Sequence, residues 1–144
     1  MATTGDERRE DVTDPNSLLG SMPFAVAVGV EIERAAAEEV LGRLAWSADR
    51  CTIGGALHGG ALMALADSLG AICAFLNLPD GATGTSTIES KSNFFRGVRE
   101  GHVAAVSRPL HVGRTTIVVQ TDLSDALGKR VAQVTQTQAV IRRG

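Results

Sequence analysis

The stretch His58–Leu78, HGGALMALADSLGAICAFLNL, decides the fold. Asp67 is the only fully charged side chain between His58 and Pro79, and nearly everything else there is small or apolar. This composition predicts a helix with apolar residues on every side, which the rest of the protein must largely enclose. The helix should begin near His58-Gly59-Gly60 and end near Leu78, where Pro79-Asp80-Gly81 forces a turn. Its length is close to the roughly 20 residues of a membrane span. The Ala and Gly content and the central Asp67 favour a buried helix of a soluble protein instead. A carboxylate there costs free energy unless it is paired, hydrogen-bonded or used.

The flanking segments have a different character. Before the helix, Val30 to Ala37 and Glu39 to Ser47 read as a hairpin of two strands. In the second strand, Val40, Leu44 and Trp46 share one face, and Leu41, Arg43 and Ser47 share the other. After the helix, Thr85 to Phe95, His102 to Leu110, Thr115 to Leu123 and Arg130 to Ile141 are rich in Val, Ile and Thr, with breaks at glycines. Short connections predict four strands with antiparallel neighbours. Asn16 to Val28 suits a short helix followed by an extended segment, interrupted by Pro23 and Gly29. Residues 1–14 are charged and poor in apolar side chains, which predicts a disordered polar tail ahead of one domain over 15–144. The expected class is α+β, with one long helix wrapped by a curved antiparallel sheet of five to six strands.

Composition narrows the function. The chain has 144 residues, 44% of them hydrophobic, and a formal net charge of −2. A weakly acidic surface gives no broad electrostatic case for nucleic acid or an anionic membrane. Two cysteines, Cys51 and Cys73, are too few for a disulfide framework and lack zinc-type spacing. The N-terminal stretch has no apolar signal segment, so the expected location is the cytoplasm. No metal is expected.

A helix start presents unpaired N–H groups and a partial positive charge, and glycine there admits a ligand close to the backbone. A thioester carbonyl placed at that point would be polarised, with Asp67 as nucleophile on its carbon or as general base on water. Gly60 and Asp67 share a helix face but stand about 10.5 Å apart along the axis. That gap is too wide for both to act on one bond within one chain. Two antiparallel helices across a twofold axis would bring each Gly60 near the partner's Asp67, which predicts a dimer with two shared sites.

HGGALMALAD, followed by KSNFFRGVREGHV and RPLHVGRTT, resembles the hotdog-fold acyl-CoA thioesterases of the phenylacetic-acid-degradation (PaaI) type. It is also similar to the 4-hydroxybenzoyl-CoA thioesterases, and the resemblance covers roughly Val28 to Arg142. It implies hydrolysis of small or medium acyl-CoA thioesters, aromatic or short aliphatic, to free acid and coenzyme A. It implies no cofactor beyond the coenzyme A of the substrate, and a dimer doubled to a homotetramer. By the same resemblance Asp67 matches the catalytic acid, Gly60 the glycine whose N–H polarises the carbonyl, and His58 opens that motif. Thr87 falls near a serine that helps place the attacking water. Arg114 and Thr115 match a turn that contacts coenzyme A phosphates, with Arg96 and Arg142/Arg143 as further candidates. Thr52 stands where the family usually has an Asn or Gln that orients the thioester or water. A hydroxyl is shorter and offers one donor where an amide offers two.

Each of these residues also has a plainer reading. Asp67 could be a buried acid satisfied by Ser68 or by hydroxyls of Thr85 to Ser92. His58 could cap the helix, and Arg114 could be a solvated turn residue. Two other functions fit the same fold: a non-catalytic acyl-CoA binder or sensor, motivated by Thr52, and a hydratase or dehydratase, which needs a His–acid pair that His102 or His111 would have to supply.

Overall fold

The computed structural model describes residues 14–143. Most of the expected tail lies outside them. Asp14 does not belong to it: its carboxylate accepts from Asn16 N–H at 3.0 Å and caps α1 (Pro15–Gly20). Pro23 opens a second short helix, α2 (Pro23–Val28), rather than breaking one. Proline is pre-set for the first helical position, where its missing N–H costs nothing. The extended segment expected here is therefore helical up to Gly29, whose φ of 100° ends α2.

The strands are β1 (Glu31–Ala35), β2 (Val40–Ala45), β3 (Gly84–Phe94), β4 (His102–Val112), β5 (Thr116–Asp125) and β6 (Arg130–Ile141). They form one antiparallel sheet in the order β1-β2-β4-β5-β6-β3. Sequence neighbours pair in the β1–β2 hairpin and along β4-β5-β6, as the short connections predict. The exception is β3, which pairs with β6 instead of β4. Residues 95–101 cross the sheet, so that β4 zips onto β2 from Val40↔Ser107 to Ala45↔His102. The crossover gives the first hairpin a partner and leaves β3 at the sheet edge.

Helix α3 (Gly59–Leu76) lies across the concave face and contacts all six strands. Its buried side chains, Leu62, Leu65, Leu69, Ile72 and Cys73 among them, pack on Val40, Leu44, Val103, Ile117, Val119 and Leu123. Asn77 fixes the far end. Its amide donates to Cys73 O at 2.8 Å and to Ala37 O at 2.6 Å, tying the last turn to the β1–β2 connection. Gly42 sets the helix-to-sheet distance. A Cβ there would stand 2.6 Å from Glu31 O and 2.9 Å from Leu69 Cδ2.

Two polar features interrupt the apolar layer. Ser107 and Thr121 are opposite residues of β4 and β5, fully buried, and bond to each other at 2.6 Å. A bulge in β3 between Thr87 and Glu89 inserts Ile88 into the ladder. Alternation is lost there, so Thr87 and Ser90 both lie on the helix side, opposite buried Gln138 and Gln136.

The β2 contact gives a direct test. Gly42→Ala should lower stability by about 1–3 kcal/mol, because the added methyl meets backbone on one side and the core on the other. Thermal unfolding of the variant measures it, and an unchanged Tm would show that α3 is not seated by this glycine.

Candidate active site

Helix α3 is not enclosed on all sides. Gly60, Met63, Asp67 and Phe75 lie on an exposed stripe, with Ala64 and Ala71 half-buried beside them. These positions recur at three- and four-residue intervals and form one helix face. Asp67 is therefore exposed in the single chain, contrary to its expected burial. A six-stranded sheet reaches around most of an apolar helix but not the whole of it. The stripe runs beside β3, itself exposed along most of its length, with Ile88 62% exposed, Phe94 48% and Phe95, just beyond it, 56%.

The Asp67 carboxylate makes no hydrogen bond or ion pair among the described residues. Ser68, the simplest partner for it, donates to Ala64 O at 2.7 Å instead. No hydroxyl of Thr85 to Ser92 reaches it. Crowding by the surrounding apolar helix and strand removes solvent, which raises the carboxyl above its ordinary value. The plainer reading of Asp67 as a satisfied buried acid does not describe this geometry.

The helix start divides its donors. His58 is the N-cap, and its Nδ1 accepts from Gly60 N–H at 2.8 Å. The capping role of His58 is thus in place, and it engages the very N–H that was expected to polarise the substrate. Gly59 N–H has no acceptor among the described residues. It is the donor that needs no rearrangement, and the sequence reading missed it. The signal was present: a histidine two residues before a glycine can fold back on that glycine's N–H.

Each side of the helix start opens on a cavity. One, about 320 Å³, is lined by Phe24, Val28, Arg50, Cys51, His58 and Gly60. The other, about 340 Å³, is lined by Leu57, Gly59, Leu62, Phe94, Phe95 and Arg96. Arg50 was also missed, since an arginine between Asp49 and Cys51 looks like a solvated loop residue. Its Nε donates to Val28 O at 2.6 Å and its Nη1 to Ala45 O at 3.0 Å. A cation at the end of α2 offsets the partial negative charge of the last carbonyls and holds the cavity wall in place.

The other expected residues scatter. Thr87 Oγ1 accepts from Gln138 Nε2 at 2.7 Å on the helix-facing side of β3. Thr52 is exposed in the loop before α3, next to Cys51, but does not line the His58 cavity. Arg96 lies at the Gly59 end. Arg114, Thr115 and Arg142 are at the opposite end of the sheet, where Arg142 Nη1 donates to Arg114 O at 2.6 Å and Val140 N–H to Thr115 O at 2.9 Å. Eleven residues of β3 separate the two ends, roughly 33 Å at 3.3 Å per residue. Neither His102 nor His111 bonds to a carboxylate among the described residues, so nothing there supplies the pair a hydratase needs. Cys73 is buried and its thiol is pushed up to about 12 by that burial, which makes it a poor nucleophile.

Known proteins place this arrangement. Residues 54–132, more than half of the chain, match the thioesterase superfamily model. The chain belongs to the thioesterase superfamily. The Pseudomonas aeruginosa thioesterase PA1618 is 40% identical over 87 residues, 60% of each chain. A solved structure of a variant of that protein superposes with a TM-score of 0.84 at 30% identity, covering 92% of this chain and 96% of the other. A Bacillus subtilis protein named as an esterase, ComA2, is 35% identical over 120 residues, 81% of this chain and 93% of its own. The 1,4-dihydroxy-2-naphthoyl-CoA hydrolase of Escherichia coli is 34% identical over 87 residues, 60% of this chain and 63% of its own. The fold of the superfamily member described here is the expected hotdog, a long helix held in a curved antiparallel sheet.

The raised Asp67 carboxyl carries a stability consequence. The folded chain holds this proton more tightly than the unfolded chain, so stability falls as pH rises from the ordinary Asp value through the raised one. Asp67→Asn removes that loss. The variant should melt at or above the wild-type temperature at neutral pH, and the difference should vanish well below the ordinary Asp value. A variant less stable at neutral pH would mean that the carboxylate has a favourable partner.

Proposed function

We propose that this chain hydrolyses acyl-CoA thioesters to free acid and coenzyme A. The observation that carries the reading is an unpartnered carboxylate, Asp67, on the open stripe of the same helix whose first N–H groups border two cavities. The thioester carbonyl oxygen takes the Gly59 N–H. Gly60 N–H joins it where His58 releases its hold, and together they stabilise the negative charge that develops on that oxygen. Asp67 then takes a proton from the water that attacks the carbonyl carbon, or attacks that carbon itself to form an anhydride that water afterwards cleaves; in either route the carbon–sulfur bond breaks, the coenzyme A thiolate leaves, and water's oxygen ends in the free acid. A carboxylate with raised proton affinity is better suited to either role near neutral pH. His58 positions the donor groups, Thr87 and Thr52 are helpers by the family resemblance alone, and no metal or further cofactor takes part.

The acyl group occupies the cavity beside Phe24 and His58, whose volume of about 320 Å³ suits a short aliphatic chain or one aromatic ring. The acyl-CoA named for the Escherichia coli relative is also aromatic, although its naphthoyl group has two fused rings.

Gly59 and Asp67 are eight residues apart on one helix, about 12 Å along the axis. One chain therefore does not complete a site. The free edge of β3 and the bare stripe of α3 adjoin each other, and a second copy paired through β3 covers both. Antiparallel pairing sets the Gly59 end of one chain against the Arg114, Thr115 and Arg142 end of the other. It also turns each Asp67 toward the partner's helix start. The working unit is a homodimer with two shared sites, doubled to a tetramer and located in the cytoplasm.

Asp67→Asn and Asp67→Ala should each reduce turnover of short-chain and aromatic acyl-CoAs by about 10²- to 10⁴-fold, measured as free thiol released. Full turnover by a folded variant refutes the assignment. Ile88→Lys places like charges near the centre of the β3 edge in both copies. Light scattering should then show monomer at concentrations where the wild type is dimeric, with turnover lost in parallel. An active wild-type monomer would remove the shared-site model.

A further inference from the structure

We propose that Gln136 and Ser92 hold ordered internal water in the seam between α3 and the β3–β6 pair, and that this water supplies the hydrolysis at Asp67. The supply role rests on the thioesterase reading above; the water site does not. Gln136 is fully buried, and neither Nε2 nor Oε1 of its amide has a hydrogen-bond partner among the described residues. The buried Oγ of Ser92 has none either. Both side chains face α3. Gln136 pairs with Ser90 across the β3–β6 ladder, and Ser92 stands two residues further along β3, opposite buried Val134. One buried polar atom without a partner is costly, and three on neighbouring side chains call for a shared one.

The surroundings explain why that partner is water. A Cβ on Gly70 would stand within 2.8 Å of Oε1, Cδ and Nε2 alike, so the amide lies flat over that glycine. Its polar edges therefore point sideways along the sheet. On the β5 side the opposite residue is Val119, which offers no polar atom in its side chain. Along β6 the next helix-facing residues are Val134 and Gln138, and Gln138 Nε2 is given to Thr87. On the β3 side stand two short hydroxyls, Ser90 directly opposite and Ser92 on the diagonal. The helix above is equally spare: Ala66, Gly70 and Ala74 follow at four-residue intervals as one buried row. A buried water typically makes about three hydrogen bonds, and three unpaired atoms await them here. Water both donates and accepts, so it serves either end of the amide. Ser90 is exposed and carries the seam outward. Asp67, three residues before Gly70, is its neighbour on the preceding turn and belongs to the stripe beside β3. A substrate and a second copy that cover the stripe keep bulk water from the acid, and the seam then approaches it from inside the protein. Each turnover uses one water. Its oxygen joins the acyl carbon, one proton passes through Asp67 to the departing thiolate, and the other stays with the new acid.

The test compares the wild type with Gln136→Leu and Ser92→Ala. Oxygen-17 relaxation dispersion detects waters held far longer than surface water. Thermal melting and acyl-CoA turnover, read as free thiol, are followed on the same samples. The wild type should hold long-lived water that Q136L loses, and S92A should shorten its stay. Q136L should melt no lower than the wild type, because an apolar side chain of similar size removes the amide instead of stranding it. Its kcat should fall about 2- to 10-fold, the scale of one net hydrogen bond, with KM unchanged. A role confined to packing α3 would instead lower the melting temperature and move kcat and KM together. The water site is overturned if the wild type shows no long-lived water, or if both variants keep it in full. The supply role is overturned if the water is lost and kcat stays. A wild type that holds the water but releases no thiol from any acyl-CoA defeats the hydrolase reading and leaves the water site standing. S92A removes a single hydroxyl and keeps the test decisive should Q136L not fold.

Discussion

A six-stranded sheet cannot close around an 18-residue apolar helix. Everything of functional interest here follows from that shortfall. The sheet covers the faces of α3 that carry Leu65, Leu69 and Cys73, all fully buried, and stops at β3. What remains bare is a narrow strip of small and apolar residues with one acid at its middle. Apolar surface left in water costs roughly 25 cal/mol per Å², so the strip favours a cover. An acid on such a strip is already partly shielded from water by its apolar surroundings and holds its proton more tightly. Architecture and chemistry are thus coupled: the gap that exposes Asp67 is also what tunes it.

The fold was largely legible in the sequence because its strongest signals are local. The composition of His58–Leu78 fixes one helix, and Val, Ile and Thr runs broken by glycines fix the strands. Pairing order was less legible. The separation of β3 from β4 depends on what β2 needs at its edge, and no local pattern encodes that. The two small helices were half-seen, because Pro23 acts as a start or a stop depending on the backbone before it. At the candidate site, the spacing of His58 and Asp67 placed one at the start of α3 and the other within it, where the structure has them. The sequence could not decide whether Asp67 would be sunk or bare, since that depends on how far a sheet curls. Nor could it tell which of the Gly59 and Gly60 N–H groups is engaged, which depends on which way an imidazole turns. Arg50 and Arg99 look alike on paper. One is a brace held by two carbonyls; the other has no hydrogen bond or ion pair among the described residues.

The helix-facing polar residues of β6 raise a separate point about how such a site is supported. Gln138 is satisfied by Thr87, but Gln136, fully buried, has no partner for either end of its amide. It lies flat over Gly70, where a Cβ would stand 2.3 Å from its Oε1. Ser92, on the same face of the neighbouring strand, also has an unpaired buried hydroxyl. Polar groups left unsatisfied beneath a buried helix are costly. The position of Gln136 against Gly70, one turn from Asp67, sets this part of the interior apart from the dry packing under Leu65.

The inserted Ile88 has a consequence for how chains of this kind can diverge. Strand faces are an odd–even count, and the extra residue resets that count midway along β3. Loss of a single codon there would preserve the length of the sheet almost unchanged while turning Thr85 and Thr87 outward and stripping Gln138 of its acceptor. Substitutions along this edge are graded changes; an indel is a switch of parity. Drift in this strand is therefore expected to proceed by exchange of side chains at constant length, with gaps confined to the turns.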